Sequence, residues 1–127
     1  MVEHFAEMDG LVLSVIYKHN QLDLVQWLGI IDFYERIIIS FDELRGALSR
    51  LQKSGLITYS DGAFCLTSDA TNLFSKSFDI RNYERISKTL SSKEIVNIAE
   101  EKFVLTEADY STALQEYRNR WKNKKVR

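Results

Sequence analysis

The sequence predicts a mainly α-helical protein with one small β-hairpin. Several stretches repeat apolar residues at helical spacing, and one of them carries a cap at its start and a glycine stop at its end. Two short apolar runs flank Asp61-Gly62, the dipeptide most typical of a tight hairpin. With 127 residues, 45% of them apolar and 28% charged, the chain has the size and composition of an ordinary globular domain.

The first two predicted helices cover residues 9–19 and 21–36. Asp9 can cap the first. The second helix is apolar on more than one side, because a further stripe of Trp27, Ile30 and Tyr34 lies beside its core-facing residues. Such a helix is either covered within its own domain or meets a partner. The sequence leaves open whether the C-terminal residues, another protein or a second copy covers this stripe.

Residues 40–67 carry the most specific pattern. Ser40 and Glu43 form a capping box for an amphipathic helix, and Ser54-Gly55 ends it. The hairpin follows, with strands predicted over residues 56–60 and 63–67. The β-branched run Ile37-Ile-Ile39 before the helix is predicted to be a short strand at the edge of this hairpin.

The remaining residues are predicted to be helical. Thr67 or Ser68 caps a helix from Asp69 to about Phe78, and a short charged helix covers residues 79–90. The capping box Ser91-Ser-Lys-Glu94 predicts a helix over residues 92–102, with Ile95, Ile98 and Ala99 facing inward. A longer helix starts at Thr106. Its apolar stripe, assigned to the core or to a dimer surface rather than to base stacking, comprises Tyr110, Ala113, Leu114, Tyr117 and Trp121.

Residues 44–73 resemble bacterial winged helix-turn-helix domains. The resemblance is carried by Leu44-x-x-Ala47-Leu48-x-x-Leu51-x-x-x-Gly55-Leu56-Ile57, a hairpin, and Leu66-Thr67-x-x-Ala70-x-x-Leu73. In that family the recognition helix ends in a leucine-x-x-x-glycine-leucine-isoleucine run, and the second wing strand ends in leucine-threonine. The resemblance covers roughly residues 9–78. It implies a winged helix-turn-helix domain at residues 1–78, followed by a helical C-terminal extension at residues 79–127.

The resemblance also implies DNA binding, as in a transcriptional regulator or a DNA-associated factor. The recognition helix would enter the major groove while the wing contacts phosphate. The residues expected to face bases are Arg45, Ser49 and Gln52, and those expected to meet phosphates are Arg50 and Lys53. A basic tail could add contacts through Arg118, Arg120, Lys122, Lys124 and Lys125.

The charge distribution argues against DNA binding. Residues 1–40 carry six acids and two bases, whereas residues 81–127 carry seven acids and eleven bases. The recognition helix begins with Asp42 and Glu43, and the hairpin has no Lys or Arg. Since phosphate contacts supply most non-specific affinity, this hairpin is a poor phosphate clamp.

The alternative hypothesis is a winged helix that binds proteins and not DNA. It rests on the apolar excess of the second helix and on the acidic balance of the first eighty residues. A homodimer formed through helical elements is compatible with both hypotheses. The residues expected at a partner surface are Trp27, Ile30, Tyr34, Tyr110, Tyr117 and Trp121.

The sequence contains no enzyme constellation. His4 and His19 have no partners at metal-ligand spacing, and Cys65 in the second strand has no histidine nearby. The five glycines are scattered and form no phosphate-binding loop. We therefore expect no catalysis, metal, cofactor or small-molecule ligand. The N-terminus is not typical of a signal peptide, no apolar run approaches the roughly 20 residues of a membrane span, and the single cysteine fits a reducing compartment. The sequence thus predicts a cytoplasmic location.

Overall fold

The structure is a computed structural model, and it describes residues 4–18, 24–61, 63–75 and 77–125. In chain order the elements are α1 (Glu7–Lys18), α2 (Leu24–Glu35), α3 (Phe41–Lys53), β1 (Ile57–Ser60), β2 (Ala63–Leu66), α4 (Ser68–Thr71), a 3₁₀ turn (Ile80–Asn82), α5 (Tyr83–Ser91) and α6 (Glu107–Lys125). The two strands pair antiparallel in one sheet. The predicted fold class, mainly α with a small hairpin, is confirmed.

The central element is α1. It begins at Glu7 instead of Asp9, and every residue from Asp9 to Ile16 is buried. The helix is covered on several sides, since it packs against α3 and α5 and also touches α2 and β2. Most of its stability therefore comes from packing rather than from helix propensity.

Gly10 allows α1 and α5 to approach each other closely. A Cβ atom at this position would lie 2.6 Å from the backbone nitrogen and 2.7 Å from the Cα of Ser87, and it would collide with Ser87 Oγ. Ser87 is fixed there because its hydroxyl donates a hydrogen bond of 2.8 Å to the Glu7 carbonyl. We expect Gly10→Ala to lower the free energy of unfolding by about 1–3 kcal/mol, because the added methyl group forces two packed helices apart.

Gly29→Ala is the matched control. Its added Cβ would meet only the Tyr117 ring, at 3.2 Å, and alanine favours a helix over glycine by about 1 kcal/mol. Urea unfolding monitored by circular dichroism should therefore show little change for Gly29→Ala. Equal losses for the two variants would contradict the close approach at Gly10.

The caps of α3 are those predicted. Ser40 Oγ accepts from the Glu43 backbone N–H at 3.2 Å, and Glu43 Oε1 accepts from the Ser40 N–H at 3.3 Å. At the other end Gly55 adopts a φ of 77°, in the left-handed region that glycine enters without steric cost. This conformation lets the Leu56 N–H donate to the Leu51 carbonyl at 3.0 Å. The capping box and glycine stop are confirmed.

The hairpin also forms where the sequence predicts it. Its register pairs Ser60 with Ala63, so two residues connect the strands as predicted. The second of them, Gly62, lies outside the described residues. Asp61 has a φ of 52°, the sign that a tight primed turn requires. Phe64 faces the core and Cys65 is exposed.

Two predicted elements before and after the hairpin differ. Ile37-Ile-Ile39 forms no strand: α2 ends in a turn at Arg36, whose φ is 56°, and the chain leads directly into the cap of α3. The helix expected up to Phe78 is only the single turn α4, capped by Thr67. The chain then turns so that the Phe74 and Phe78 rings both contact Tyr17, with centroids 4.1 and 5.9 Å away.

The predicted helix over residues 92–102 is wrong. Ser92 ends α5, and residues 94–105, which we call the strap, run without helix or strand to the start of α6. The backbone N–H groups of Ile98 and Ala99 donate to the Lys53 carbonyl at 2.9 and 3.1 Å instead of to a helical turn. Tertiary hydrogen bonds thus override the capping-box pattern. Ile98 and Ala99, predicted to face inward, are exposed.

The C-terminal extension packs on the rest of the chain. Its 3₁₀ turn and α5 cover α1, and α6 lies along α2. The apolar side chains of the extension belong to the same core as those of the N-terminal helices: Ile80, Tyr83, Ile86, Leu90, Leu105 and Ala113. The second stripe of α2 is therefore covered within the chain where it is described: Trp27 packs on Phe64 of the hairpin, and α6 lies along the helix. The side chain of Tyr34 lies outside the described residues.

Candidate functional site

A shallow depression of about 250 Å³ lies on the solvent-facing side of α3. The residues that line it are Asp42, Arg45, Gly46, Ser49 and Arg50. Arg45 is exposed and Ser49 is partly exposed, as predicted for this face. Three of the five residues expected to contact DNA, Arg45, Ser49 and Arg50, therefore lie together. The contacts of Arg50 and Gln52 within the protein bear on whether these side chains can reach a ligand.

Arg50 forms an ion pair with a buried carboxylate, that of Asp9. Its Nε lies 2.6 Å from Asp9 Oδ2 and its Nη2 lies 2.8 Å from Asp9 Oδ1, a bidentate ion pair. Asp9 is fully buried, and its Oδ2 also accepts from the Ala6 N–H at 2.9 Å, which caps α1. Gly46 leaves space for the guanidinium, since a Cβ there would lie 2.9 Å from Arg50 Nη1. Arg50 thus joins α1 to α3 while much of its charge is neutralised.

Gln52 does not lie on the outer face, and this placement corrects the prediction. The residue is only 2% exposed. Its Nε2 donates to the Phe103 carbonyl at 2.8 Å and to the Leu48 carbonyl at 3.2 Å. Its Oε1 accepts from the N–H groups of Lys102 and Phe103, both at 3.0 Å. The amide has its full complement of hydrogen bonds and holds the strap instead of facing solvent.

The exposed charges around α3 nearly balance. Asp42 and Glu43 on its first turn offset Arg45 and Lys53, while the Arg50 charge is opposed by Asp9. The hairpin adds only the carboxylate of Asp61. This side of the molecule therefore lacks the positive excess that draws a protein to nucleic acid.

The basic tail is described in part. Arg118 and Arg120 are exposed on α6, and Arg120 Nη2 lies 2.8 Å from Glu116 Oε1. The side chains of Lys122, Lys124 and Lys125 lie outside the described residues, although α6 itself continues to Lys125.

Of the residues predicted at a partner surface, the four whose side chains are described are buried or partly buried: Trp27, Ile30, Tyr110 and Tyr117. Trp27 is 2% exposed and packs on Phe64, with ring centroids 5.2 Å apart, so its assignment to a partner surface is corrected. Ile30 is partly buried against the core. The side chains of Tyr34 and Trp121 lie outside the described residues.

Two tyrosines join α6 to the α2 region. The Tyr110 hydroxyl donates to the Ile39 carbonyl, and the Tyr117 hydroxyl donates to Asp32 Oδ2. Burial, together with the Asp32 carboxylate, raises the pKa of Tyr117 from 10.0 to about 12. A raised pKa means that the folded state holds the phenolic proton more tightly. The stability from this contact is therefore complete below about pH 10 and is lost as the pH rises towards 12.

Comparison with known proteins gives no match to a family model, a curated protein or a solved structure. The described residues contain no group of His, Cys, Asp or Glu side chains arranged to hold a metal ion. Within the same part of the chain, no helix combines the length and apolarity needed to cross a membrane.

Three large apolar side chains are exposed between the last turns of α2 and the cap of α3, and we call them the apolar patch. Phe33 is 76% exposed, and Ile37 and Ile38 are 43% and 39% exposed. The sequence predicts a strand at the isoleucines, and no motif marks Phe33. Helical spacing could have flagged Phe33, because it lies on the side of α2 opposite Leu28 and Ile31, which are both buried.

The strap forms a second surface that sequence reasoning missed. Val96, Ile98 and Val104 on the strap are 61%, 67% and 52% exposed. Val96 and Ile98 line one side of an open groove of about 610 Å³. The rest of its lining comprises Phe5, Ser54, Leu56, Asp69, Asn72, Leu73, Lys93 and Glu94. A helix over residues 92–102 would have turned Ile98 inward, so the sequence did not predict this exposed surface.

Proposed function

We propose that the chain is a winged-helix module whose partner is another protein. The order of three helices followed by a hairpin supports a winged helix-turn-helix arrangement, in which α3 takes the place of the recognition helix and β1 and β2 that of the wing. The resemblance of residues 44–73 to bacterial members of that family gives the same assignment from sequence. Because one fold serves several functions, the choice between DNA and protein rests on the surface.

The observation that carries the proposal is the charge of the α3 face. A DNA-reading helix needs cationic and polar side chains that point outward. Here the Arg50 guanidinium is paired with buried Asp9, Gln52 is buried, and the acids of the first turn oppose Arg45 and Lys53. A neutral surface of this kind suits a protein partner better than a polyanion.

The apolar patch formed by Phe33, Ile37 and Ile38 gives the proposal a second support. Exposed apolar residues that lie together often mark contact surfaces, whereas isolated ones need no explanation. The patch adjoins the first turn of α3, since Ser40 begins the cap of that helix. A partner protein can therefore contact both regions.

A mobility-shift assay tests whether the chain binds DNA. We expect no shift of a random-sequence 30-base-pair duplex at 50 mM salt with micromolar protein, because few phosphates can be neutralised. Arg45→Gln removes an exposed positive charge on α3, and Gln115→Ala is the control substitution at an exposed position on α6. A shift lost only in Arg45→Gln would come from a specific contact and not from misfolded protein. A salt-sensitive shift that Arg45→Gln abolishes and Gln115→Ala preserves would overturn the proposal.

Site-specific photo-crosslinking tests the protein partner directly. A benzophenone side chain placed at Phe33 should give discrete protein adducts in the cells that normally express the chain. The same group at Thr112, an exposed position on the outer side of α6, should not give these adducts. Absence of adducts at Phe33, or identical adducts at both positions, would count against the proposal.

DNA binding by a homodimeric transcriptional regulator is the second candidate. It is favoured by the exposure of Arg118 and Arg120 on α6, in the segment where the sequence has its positive excess. In that case the mobility shift would persist in Arg45→Gln and disappear when Arg118 and Arg120 are both replaced by glutamine.

A further inference from the structure

We infer that the end of α3 and the inner face of the hairpin form a peptide-recognition site, which the strap occupies within the folded chain. The partner that this site fits is a protein presenting an extended aromatic-x-aliphatic segment in place of Phe103-Val-Leu105. The inference rests on the proposed protein-binding function and names the surface and the chemistry of the partner.

The first component of the site is the Gln52 amide, which contacts the main chain of the strap. It donates to the Phe103 carbonyl and accepts from the Phe103 and Lys102 N–H groups, at 2.8, 3.0 and 3.0 Å. One side chain thus makes the paired donor and acceptor contacts that a neighbouring β-strand would make. Such contacts bind an extended backbone whatever its side chains are, and adjacent pockets then supply specificity.

The second component is an aromatic pocket for the first motif position. The Phe103 ring stacks on Tyr59, with centroids 4.8 Å apart and planes inclined by 23°. It meets Phe64 edge-on, with centroids 5.2 Å apart and planes at 81°. These are favoured geometries for aromatic pairs. The two rings that Phe103 contacts, Tyr59 and Phe64, belong to β1 and β2, so the aromatic pocket lies on the hairpin.

The third component selects an aliphatic residue two positions later. Leu105 is 2% exposed, whereas Val104 between the two anchors is 52% exposed. Side chains of an extended segment alternate in this way, one towards the surface and the next towards solvent. The strap therefore defines a recognition motif with an aromatic first position, a variable second position and an aliphatic third position.

Most of the strap lies on the surface, and its firm contacts are concentrated at residues 102–105. Of its twelve residues Leu105 alone is buried, and eight are exposed. Segments with few buried apolar contacts open at lower free energy than the core. Before residue 102 the strap is held by the Lys53 carbonyl, by a β-bridge between Glu94 and His4, and by partial burial of Ile95 against the core. An extended partner segment with the same motif can therefore compete for the site.

The test uses the full chain and a fluorescent synthetic peptide spanning residues 99–107. In the variant carrying Phe103→Ser and Leu105→Ser the internal segment no longer fills the pockets, and we expect saturable binding of the peptide by fluorescence polarisation. A peptide with alanine at position 103 should bind at least about tenfold more weakly, as for the loss of an anchor residue. A peptide with alanine at position 104 should bind within about twofold, because that side chain faces solvent.

The wild-type chain provides a second measurement in case the double variant does not fold. Hydrogen exchange with the peptide in excess should accelerate at the Lys102 and Phe103 amides of the chain, because the peptide displaces them from Gln52. The Leu48 amide, in the middle of α3, should keep its protection. Adding Gln52→Leu to the double variant should weaken peptide binding by at least about tenfold.

The outcomes separate this inference from the proposed function. If the folded double variant does not bind the peptide, or the wild-type strap amides are unchanged, the strap is a permanent connector and the inference fails. Adducts at Phe33 would still support a protein partner in that case. Conversely, peptide binding together with a DNA shift that depends on Arg45 would retain the recognition site and overturn the proposed function.

Discussion

Replacing Asp9 with alanine is expected to lower the free energy of unfolding by about 3–5 kcal/mol, the usual cost of removing one partner from a buried ion pair. The Arg50 guanidinium would lose both oxygens of its bidentate contact, and the Ala6 N–H would lose the acceptor that caps α1. Such a loss is a large share of the roughly 5–15 kcal/mol by which small domains are stable. Chemical denaturation with a two-state fit measures it.

The matched control is the ion pair between Arg120 and Glu116. Its nitrogen–oxygen distance of 2.8 Å is similar, but the two side chains are 54% and 52% exposed. We expect Glu116→Ala to change stability by less than about 0.5 kcal/mol, because water screens and replaces an exposed pair. Comparable losses for Asp9→Ala and Glu116→Ala would show that burial does not determine the strength of the Asp9–Arg50 contact.

The second large effect is expected at Gln52. Gln52→Leu preserves a helix-forming side chain of similar size, but it leaves the N–H groups of Lys102 and Phe103 and the Phe103 carbonyl without their partner. We expect a loss of about 2–4 kcal/mol, since unsatisfied buried groups cost more than a hydrogen bond contributes. Thermal unfolding gives the size of the effect, and hydrogen exchange should locate it at residues 102 and 103.

Gln115→Leu makes the same chemical change on the exposed side of α6. Its stability should stay within about 0.5 kcal/mol of the parent, as for most surface substitutions. If Gln52→Leu behaves in the same way, the amide does not hold the strap. Loss of stability without faster exchange at residues 102 and 103 would place the effect within α3 instead.

The sequence predicts local structure well where the signals are local. The Ser40 capping box, the Gly55 stop and the two-residue hairpin connection that begins at Asp61 depend on neighbouring residues, and each is found as expected. The same kind of signal fails at Ser91 and Glu94. There the competing interactions come from Lys53 and Gln52, about forty residues earlier in the chain, and no local pattern reports them.

The candidate surface is harder to predict for a related reason. Helical spacing placed Ser49 on the outer face of α3 correctly, because it lies opposite the buried Leu44 and Leu51 around the helix axis. Arg45, at the border of that face, is exposed as predicted. Gln52 was misplaced because its angular position borders the buried stripe and a polar residue there is usually assumed to face water. Its burial depends on the strap, which pairs with its amide, and so on a tertiary contact.

The position of α1 at the centre of the fold has a consequence for synthesis of the chain. The hydroxyl of Ser87 bonds to the Glu7 carbonyl across 80 residues, and α5, the element that contains Ser87, covers α1. At translation rates of about 5–20 residues per second, roughly 4–16 s separate the appearance of α1 from that of its cover. The face of α1 that packs on α5 has no cover during that interval, although α2, α3 and β2 are already synthesised. We therefore expect this face of α1 to need protection while the chain is being made.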